Sequence, residues 1–96
     1  MDNASILTRL QAILGPDGVL HRPEDVALYE YDGALDKARP DFVVFPATTQ
    51  QVAAVVRVAN AAGLPFMPRG AGTGLSGGAV AIEGGIVVSF ARMNQI

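Results

Sequence analysis

The chain has 96 residues, of which 50% are hydrophobic, with no cysteine and a formal net charge of −2 at pH 7. The length suits one small domain, and the lack of cysteine excludes disulfides and thiolate–metal sites. The charge argues against a nucleic-acid partner, and no apolar run reaches the ~20 residues that a transmembrane span needs.

The first forty residues are predicted to form a helical segment. Apolar residues recur at helical spacing over residues 6–14, and Asn3 or Ser5 is the expected cap of this first helix. Proline suits the first position of a helix, so a second, short helix is predicted to begin at Pro23. The following stretch "YDGALDKARP", residues 31–40, is predicted to be a loop.

Three short apolar stretches are predicted to be strands: 41–46 ("DFVVFP"), 65–68 ("PFMP") and 86–90 ("IVVSF"). A helix between the first two implies a parallel connection. We therefore predict an α+β fold in which a short parallel β-α-β unit is flanked by helices. The expected division is an N-terminal helical segment, 1–40, and a lobe, 41–96, that is truncated at its C-terminus.

The helix inside this unit has marked ends. Thr48 and Gln51 have the spacing of a capping box. Gly63 follows the predicted helix at the position where a left-handed backbone conformation commonly ends a helix. Four residues are expected to face the core: Val52, Val55, Val56 and Ala59.

Five of the eleven glycines fall within residues 70–78. Gly72, Gly74 and Gly77 satisfy the pattern G-x-G-x-x-G, but a dinucleotide-binding fingerprint also needs a helix directly afterwards and an acidic residue about twenty positions on. The sequence offers neither feature. A P-loop is excluded as well, because no lysine follows the glycines.

A different kind of phosphate cradle fits this segment, because successive backbone N–H groups in a tight loop form a concave anion site. Thr73 and Ser76 add hydroxyl donors, and Arg69 either supplies a cation to pyrophosphate or braces the loop through backbone carbonyls. Position after a buried strand favours ligand binding. From the residues alone, a mobile surface turn or a bulged hairpin stays open as an alternative.

Residues 41–96, most specifically 68–78 and the stretch "EGGIVVSFARMN", resemble the PCMH-type FAD-binding domain of the vanillyl-alcohol oxidase family. The most similar branch includes the FAD subunit of glycolate oxidase and FAD-linked D-lactate and other 2-hydroxy-acid dehydrogenases. The resemblance implies that backbone amides of this loop wrap the FAD pyrophosphate. The cofactor-binding residues that it implies are Pro68, Arg69, Gly70, Ala71, Gly72, Thr73, Gly74, Leu75, Ser76, Gly77 and Gly78.

The resemblance also implies that FAD is bound non-covalently. Some family members link flavin to a histidine in this loop, where this chain has Thr73. The single histidine, His21, is interpreted as an ordinary surface residue. No metal site is expected, because Asp32, Asp36 and Asp41 are spaced through a loop and are interpreted as solvated charges.

The function implied is that of the N-terminal FAD-binding part of a flavin-dependent oxidoreductase acting on a 2-hydroxy acid of the glycolate or D-lactate type. The substrate contacts of the family lie in later parts of longer chains, so no catalytic residue is expected here and the chain alone is expected to be inactive. Other oxidase subunits are candidate partners. The alternative is a phosphate- or nucleotide-binding lobe, or an interaction lobe, without redox activity.

The N-terminus has no cationic start followed by an apolar core, as a secretory signal would have. A cytoplasmic location is therefore expected. Attachment to the membrane surface through partner subunits is compatible with the same sequence.

Overall fold

A computed structural model of the chain describes residues 2–29, 31–32, 37–69 and 84–94. The helices are α1 (Asn3–Leu14), α2 (Pro23–Val26) and α3 (Thr49–Ala62). The strands are β1 (Val19–Leu20), β2 (Tyr31–Asp32), β3 (Lys37–Ala38), β4 (Phe42–Val44), β5 (Phe66–Arg69) and β6 (Ile86–Ser89). Short 3₁₀ helices span Pro16–Gly18, Ala27–Tyr29 and Ala91–Asn94. Within these ranges, no helix is both long enough and apolar enough to cross a bilayer.

The main sheet has four strands in the order β1-β4-β6-β5. β4 and β5, which α3 connects, run parallel as predicted, but each of them pairs with β6 rather than with the other. β1 pairs antiparallel with β4. β6, the last strand among the described residues, lies between the two strands that α3 connects. β6 is buried at every position, which suits a central strand. β5 contains Pro68, which has no N–H for a second ladder, so this strand lies at an edge.

Segment 31–40 differs in part from the predicted loop. β2 and β3 pair antiparallel, with Tyr31 opposite Ala38 and Asp32 opposite Lys37. The residues between these strands, 33–36, lie outside the described part of the chain. Two residues per strand are too few for a visible alternation of polar and apolar positions, so the sequence carried no strand signal here.

The cap of α1 is Asp2, so the prediction of Asn3 or Ser5 was wrong. Asp2 Oδ1 accepts a hydrogen bond of 2.9 Å from the Ser5 N–H, which would otherwise have no partner within the helix. Gly15 ends the helix with φ +80°, a conformation that favours glycine.

The predicted ends of α3 are confirmed. The Gln51 N–H donates to Thr48 Oγ1 at 3.1 Å, and Gln51 Oε1 accepts from the Ala47 N–H at 2.6 Å. The side chain of Gln51 thus reaches back one residue further than in the usual capping box. Gly63 is left-handed, with φ +70°.

The core-facing stripe of α3 is shifted from the predicted one. Val55, Val58 and Ala59 are buried, whereas Val52 and Val56 are only partly buried. The helix packs against both α1 and the sheet. Its buried side chains therefore face two neighbouring elements, which shifts the buried stripe from the one expected for a helix on a sheet alone.

The two faces of the sheet contact different cores, because side chains alternate along each strand. On one face α1 and α3 cover Phe42, Val44, Ile86 and Val88. On the other face Val26 of α2 packs with Val43, Met67 and Val87.

Candidate functional site

The carboxyl ends of β4, β5 and β6 lie at the same edge of the sheet, because these strands are parallel. We call this the carboxyl edge. Arg69 is the last residue of β5, so the glycine-rich segment begins at this edge. Ligands of open α/β sheets bind outside the carboxyl ends of the strands, which makes this edge the candidate site.

Two of the predicted cofactor-binding residues lie in the described part of the chain. Pro68 is exposed and in register with Val88, and the backbone of Arg69 is in register with Ser89. The other nine, residues 70–78, lie outside the described residues, so their contacts with phosphate stay predictions.

Ser89 adds a hydroxyl group to the carboxyl edge that the sequence analysis missed. It is 8% exposed and ends a strand whose other residues are apolar. Its Oγ accepts a hydrogen bond of 3.4 Å from the Ala91 N–H and so contacts the start of the following 3₁₀ helix. A polar residue at the end of an apolar strand was the signal that marked it.

Arg92 is a second residue that the sequence analysis missed. Its guanidinium donates to the carbonyl oxygen of Phe45 at 3.4 Å and to that of Asp17 at 3.3 Å. The ring of Tyr29 meets Phe45 edge-on, with centroids 6.1 Å apart. Arg92 therefore joins the ends of β4 and β6 at the carboxyl edge, although no local sequence pattern relates Arg92 to Phe45.

At the opposite edge, which we call the amino edge, the chain re-enters the sheet through Gly84 and Gly85, with φ +94° and +93°. The Gly85 N–H donates to Asp41 Oδ2 at 2.9 Å. Asp41 is thus part of a backbone junction, and the described residues contain no cluster of potential metal ligands. Because β5 and β6 are parallel, segment 70–83 connects the carboxyl edge to the amino edge.

His21 is exposed and follows β1. Because β1 runs antiparallel to β4, His21 lies toward the amino edge, away from the start of the glycine-rich segment.

The described residues fit a cofactor that carries phosphate at the carboxyl edge. Edge strand β5 pairs with β6 and ends there, directly before the run of glycines in the sequence, and a cationic residue type stands at its last position. Arg69 and Ser89 end two neighbouring strands in register at this edge, and both residue types can donate hydrogen bonds to an anion. A contribution from the backbone N–H groups of residues 70–78 stays a prediction.

Comparison with known proteins identifies the family of this chain. The model of a family described as FAD binding domain matches residues 40–96. The chain is 38% identical over 97 residues to the glycolate oxidase subunit GlcD of Escherichia coli K12, covering all of this chain and 19% of that protein. It is 50% identical over 60 residues to a D-lactate dehydrogenase of Anaerostipes hadrus, covering 62% of this chain and 13% of that protein.

The fold is similar to that of p-cresol methylhydroxylase, with a TM-score of 0.75 at 23% identity, over 97% of this chain and 19% of that one. This likeness confirms the predicted α+β fold of a PCMH-type FAD-binding domain. The chain spans about a fifth of the length of the curated glycolate oxidase subunit that it matches. The chain belongs to the FAD-binding domain family, and the cofactor of that domain is FAD.

Proposed function

We propose that this chain is the N-terminal FAD-binding part of a longer flavin-dependent oxidoreductase that oxidises a 2-hydroxy acid of the glycolate or D-lactate type. The observation that carries the proposal is the start of the glycine-rich segment at the carboxyl edge, directly after Arg69. Similarity along the whole chain to a glycolate oxidase subunit supports the substrate class.

Residues 68–78 bind the FAD pyrophosphate in this proposal. Glycine lets bare backbone come close to two phosphates, since a Cβ would block the approach or forbid the dihedral angles. Thr73 and Ser76 add hydroxyl donors, and Arg69 contributes positive charge. The parallel arrangement of β5 and β6 supports this assignment, because it directs the chain into the segment from the edge where ligands bind.

The flavin is bound non-covalently. Thr73 stands where covalently flavinylated family members carry a histidine, and His21 lies toward the opposite edge of the sheet. Acid precipitation of the full-length holoprotein is the direct test. Yellow supernatant is the expected result, and flavin that stays in the pellet would contradict this part of the proposal.

Bound FAD supplies the two-electron redox chemistry, and this chain binds and orients it. The residues that contact the substrate and move its proton belong to the rest of the longer protein, so the chain alone is inactive. The similar protein from Escherichia coli is named a subunit, which supports partner subunits for the full-length protein. A cytoplasmic location stays a prediction.

The test uses the full-length protein and two matched substitutions. Gly74→Trp is expected to yield colourless protein, because the indole would occupy the phosphate position. Ala61→Trp is the control: Ala61 is an exposed helical residue near the end of α3, which leads into β5 at the amino edge. This control is expected to keep the flavin spectrum. A Gly74→Trp protein that keeps it too would contradict the assignment of the segment.

The substrate class is tested separately by anaerobic addition of glycolate or D-lactate to the wild-type holoprotein. Bleaching of the flavin absorbance by one of the two is expected. Flavin that neither compound reduces would contradict the substrate class and leave the cofactor assignment intact.

A further inference from the structure

The amino edge holds a junction between three parts of the chain that are distant in sequence. The Gly84 N–H donates to the carbonyl oxygen of Arg39 at 3.1 Å. The Asp41 N–H donates to the Gly85 carbonyl oxygen at 2.9 Å, and the Ile86 N–H donates to that of Pro65 at 2.9 Å. Residues 84–86 are therefore hydrogen-bonded to chain segments on both sides at the point where β6 begins.

Asp41 supplies the side-chain contact in this junction. Its Oδ2 accepts from the Gly85 N–H at 2.9 Å. A Cβ built on Gly84 would lie 2.7 Å from the same oxygen, so the carboxylate lies directly against the glycine backbone. The carboxylate thus contacts both residues through which the chain returns from segment 70–83.

We infer that Asp41 is a positioning residue for FAD, acting through Gly84 and Gly85 rather than by contact with the cofactor. This inference rests on the proposed function of segment 68–78. Asp41 holds the residues that directly follow segment 70–83 at the amino edge, while β5 holds the residues that precede this segment at the carboxyl edge. Fixing both ends limits the arrangements open to the residues between them, so the junction is expected to lower the entropy cost of binding FAD.

Loss of the carboxylate has a limited structural effect, because the backbone hydrogen bonds of the junction do not involve it. The parallel pairing of β6 with β4 and β5 also starts only at Ile86. What is lost is the partner of the Gly85 N–H, in a residue that is buried. The return point of the segment is then held less firmly, while the strands remain paired.

The test measures the FAD dissociation constant of the full-length apoprotein by quenching of flavin fluorescence. Asp41→Ala is expected to raise it about tenfold, the equivalent of roughly one hydrogen bond. Asp41→Asn keeps an amide oxygen as acceptor and is expected to stay within about threefold of wild type. Asp41→Ser is measured as well in case the alanine variant does not fold; its shorter side chain cannot place an oxygen at the Oδ2 position, so weakened binding is expected.

Thr48→Ala is the matched control for stability. It removes the cap of α3 and is expected to lower the melting temperature, whereas the hydrogen bonds given above for the junction do not involve Thr48. Its FAD dissociation constant is expected to equal that of wild type. Hydrogen exchange of the apoprotein gives a readout independent of FAD, and faster exchange at Gly85 is expected only in the Asp41→Ala and Asp41→Ser variants.

Equal dissociation constants for Asp41→Ala and Thr48→Ala would overturn the inference, as would an asparagine variant that binds as weakly as the alanine variant. If Gly74→Trp abolishes FAD binding while the Asp41 variants bind normally, the positioning role fails and the proposed function stands. If Gly74→Trp retains FAD, the proposed pyrophosphate site fails, and the Asp41 result then loses its premise.

Discussion

The Arg92 guanidinium lies 6.0 Å from the centre of the Phe45 ring and donates to the Phe45 carbonyl oxygen at 3.4 Å. Phe45 directly follows β4, and Arg92 lies in the 3₁₀ helix after β6. A second hydrogen bond of 3.3 Å goes to the carbonyl oxygen of Asp17. One exposed cation thus bridges three segments beside the carboxyl edge.

Arg92→Ala is expected to lower the free energy of unfolding by about 1 kcal/mol, because the ring contact and two long hydrogen bonds are lost. Arg92→Lys is expected to recover only part of this, since an ammonium lacks the planar fork that reaches two carbonyls. Urea unfolding of the full-length protein provides the measurement. Arg57→Ala, at an exposed position of α3, is the control and is expected to change stability by less than about 0.5 kcal/mol. An equal effect of the alanine substitutions at both arginines would contradict the prediction.

Gly85→Ala is expected to be far more damaging than Gly63→Ala. Both positions have positive φ, which costs an alanine about 1–2 kcal/mol. A Cβ on Gly85 would also lie 2.7 Å from the Pro65 carbonyl oxygen, whereas Gly63 has open space around it. We expect losses of about 3 and about 1 kcal/mol, respectively, in urea unfolding. Similar losses of stability at the two positions would show that the short distance to the Pro65 carbonyl oxygen is not the reason for glycine at residue 85.

Asp2 is expected to give α1 a pH-dependent stability. The hydrogen bond from the Ser5 N–H lowers the pKa of the Asp2 carboxyl below its ordinary value. A lowered pKa in the folded state means that the stabilisation is present above about pH 4 and is lost as pH falls through the lowered pKa.

Asp2→Asn keeps an oxygen acceptor at the cap but does not titrate. We therefore expect the difference in melting temperature between wild type and Asp2→Asn to shrink as pH is lowered from about 6 to about 3. Thermal unfolding of both full-length proteins across this range is the measurement. A difference that does not change with pH would show that the charge of Asp2 contributes nothing to the cap.

A panel of phosphate compounds is expected to separate the proposed FAD site from a general nucleotide site. FAD should raise the melting temperature of the full-length apoprotein most, and ADP less, because it offers the diphosphate without the flavin. FMN, with a single phosphate, should have the smallest effect. At a hundredfold excess over its dissociation constant, a ligand stabilises by about 2.7 kcal/mol. Stabilisation by ADP but not by FAD would favour the nucleotide-binding alternative.

Local hydrogen bonds explain why the ends of α3 were predictable from sequence. Thr48, Gln51 and Gly63 act within a few residues of their partners, so their spacing alone specifies the cap and the left-handed end. The start of α1 was harder to predict because Asp2, Asn3 and Ser5 are all good capping residues. The apolar spacing of residues 6–14 leaves the choice among them open.

The order of the strands was not predictable from the same kind of pattern. The apolar stretches of β4, β5 and β6 identify these segments as strands, but no residue pattern within them specifies which strands pair with each other. β6 lies between the other two because it is buried on both faces, whereas Pro68 suits an edge. The antiparallel addition of β1 involves only two residues, fewer than any periodic signal requires.

The sequence by itself determined the ends of α3, the apolar strands, the position of the glycine-rich segment in the chain and, through its similarity to known proteins, the FAD-binding family. These features depend on neighbours within a few residues or on residue identities read directly. Only the tertiary structure decided that Asp41 contacts Gly85 and that Arg92 contacts Phe45, pairs separated by 44 and 47 positions. Such contacts arise when parallel pairing brings distant strand ends to a common edge, and no local pattern of residue types encodes that register.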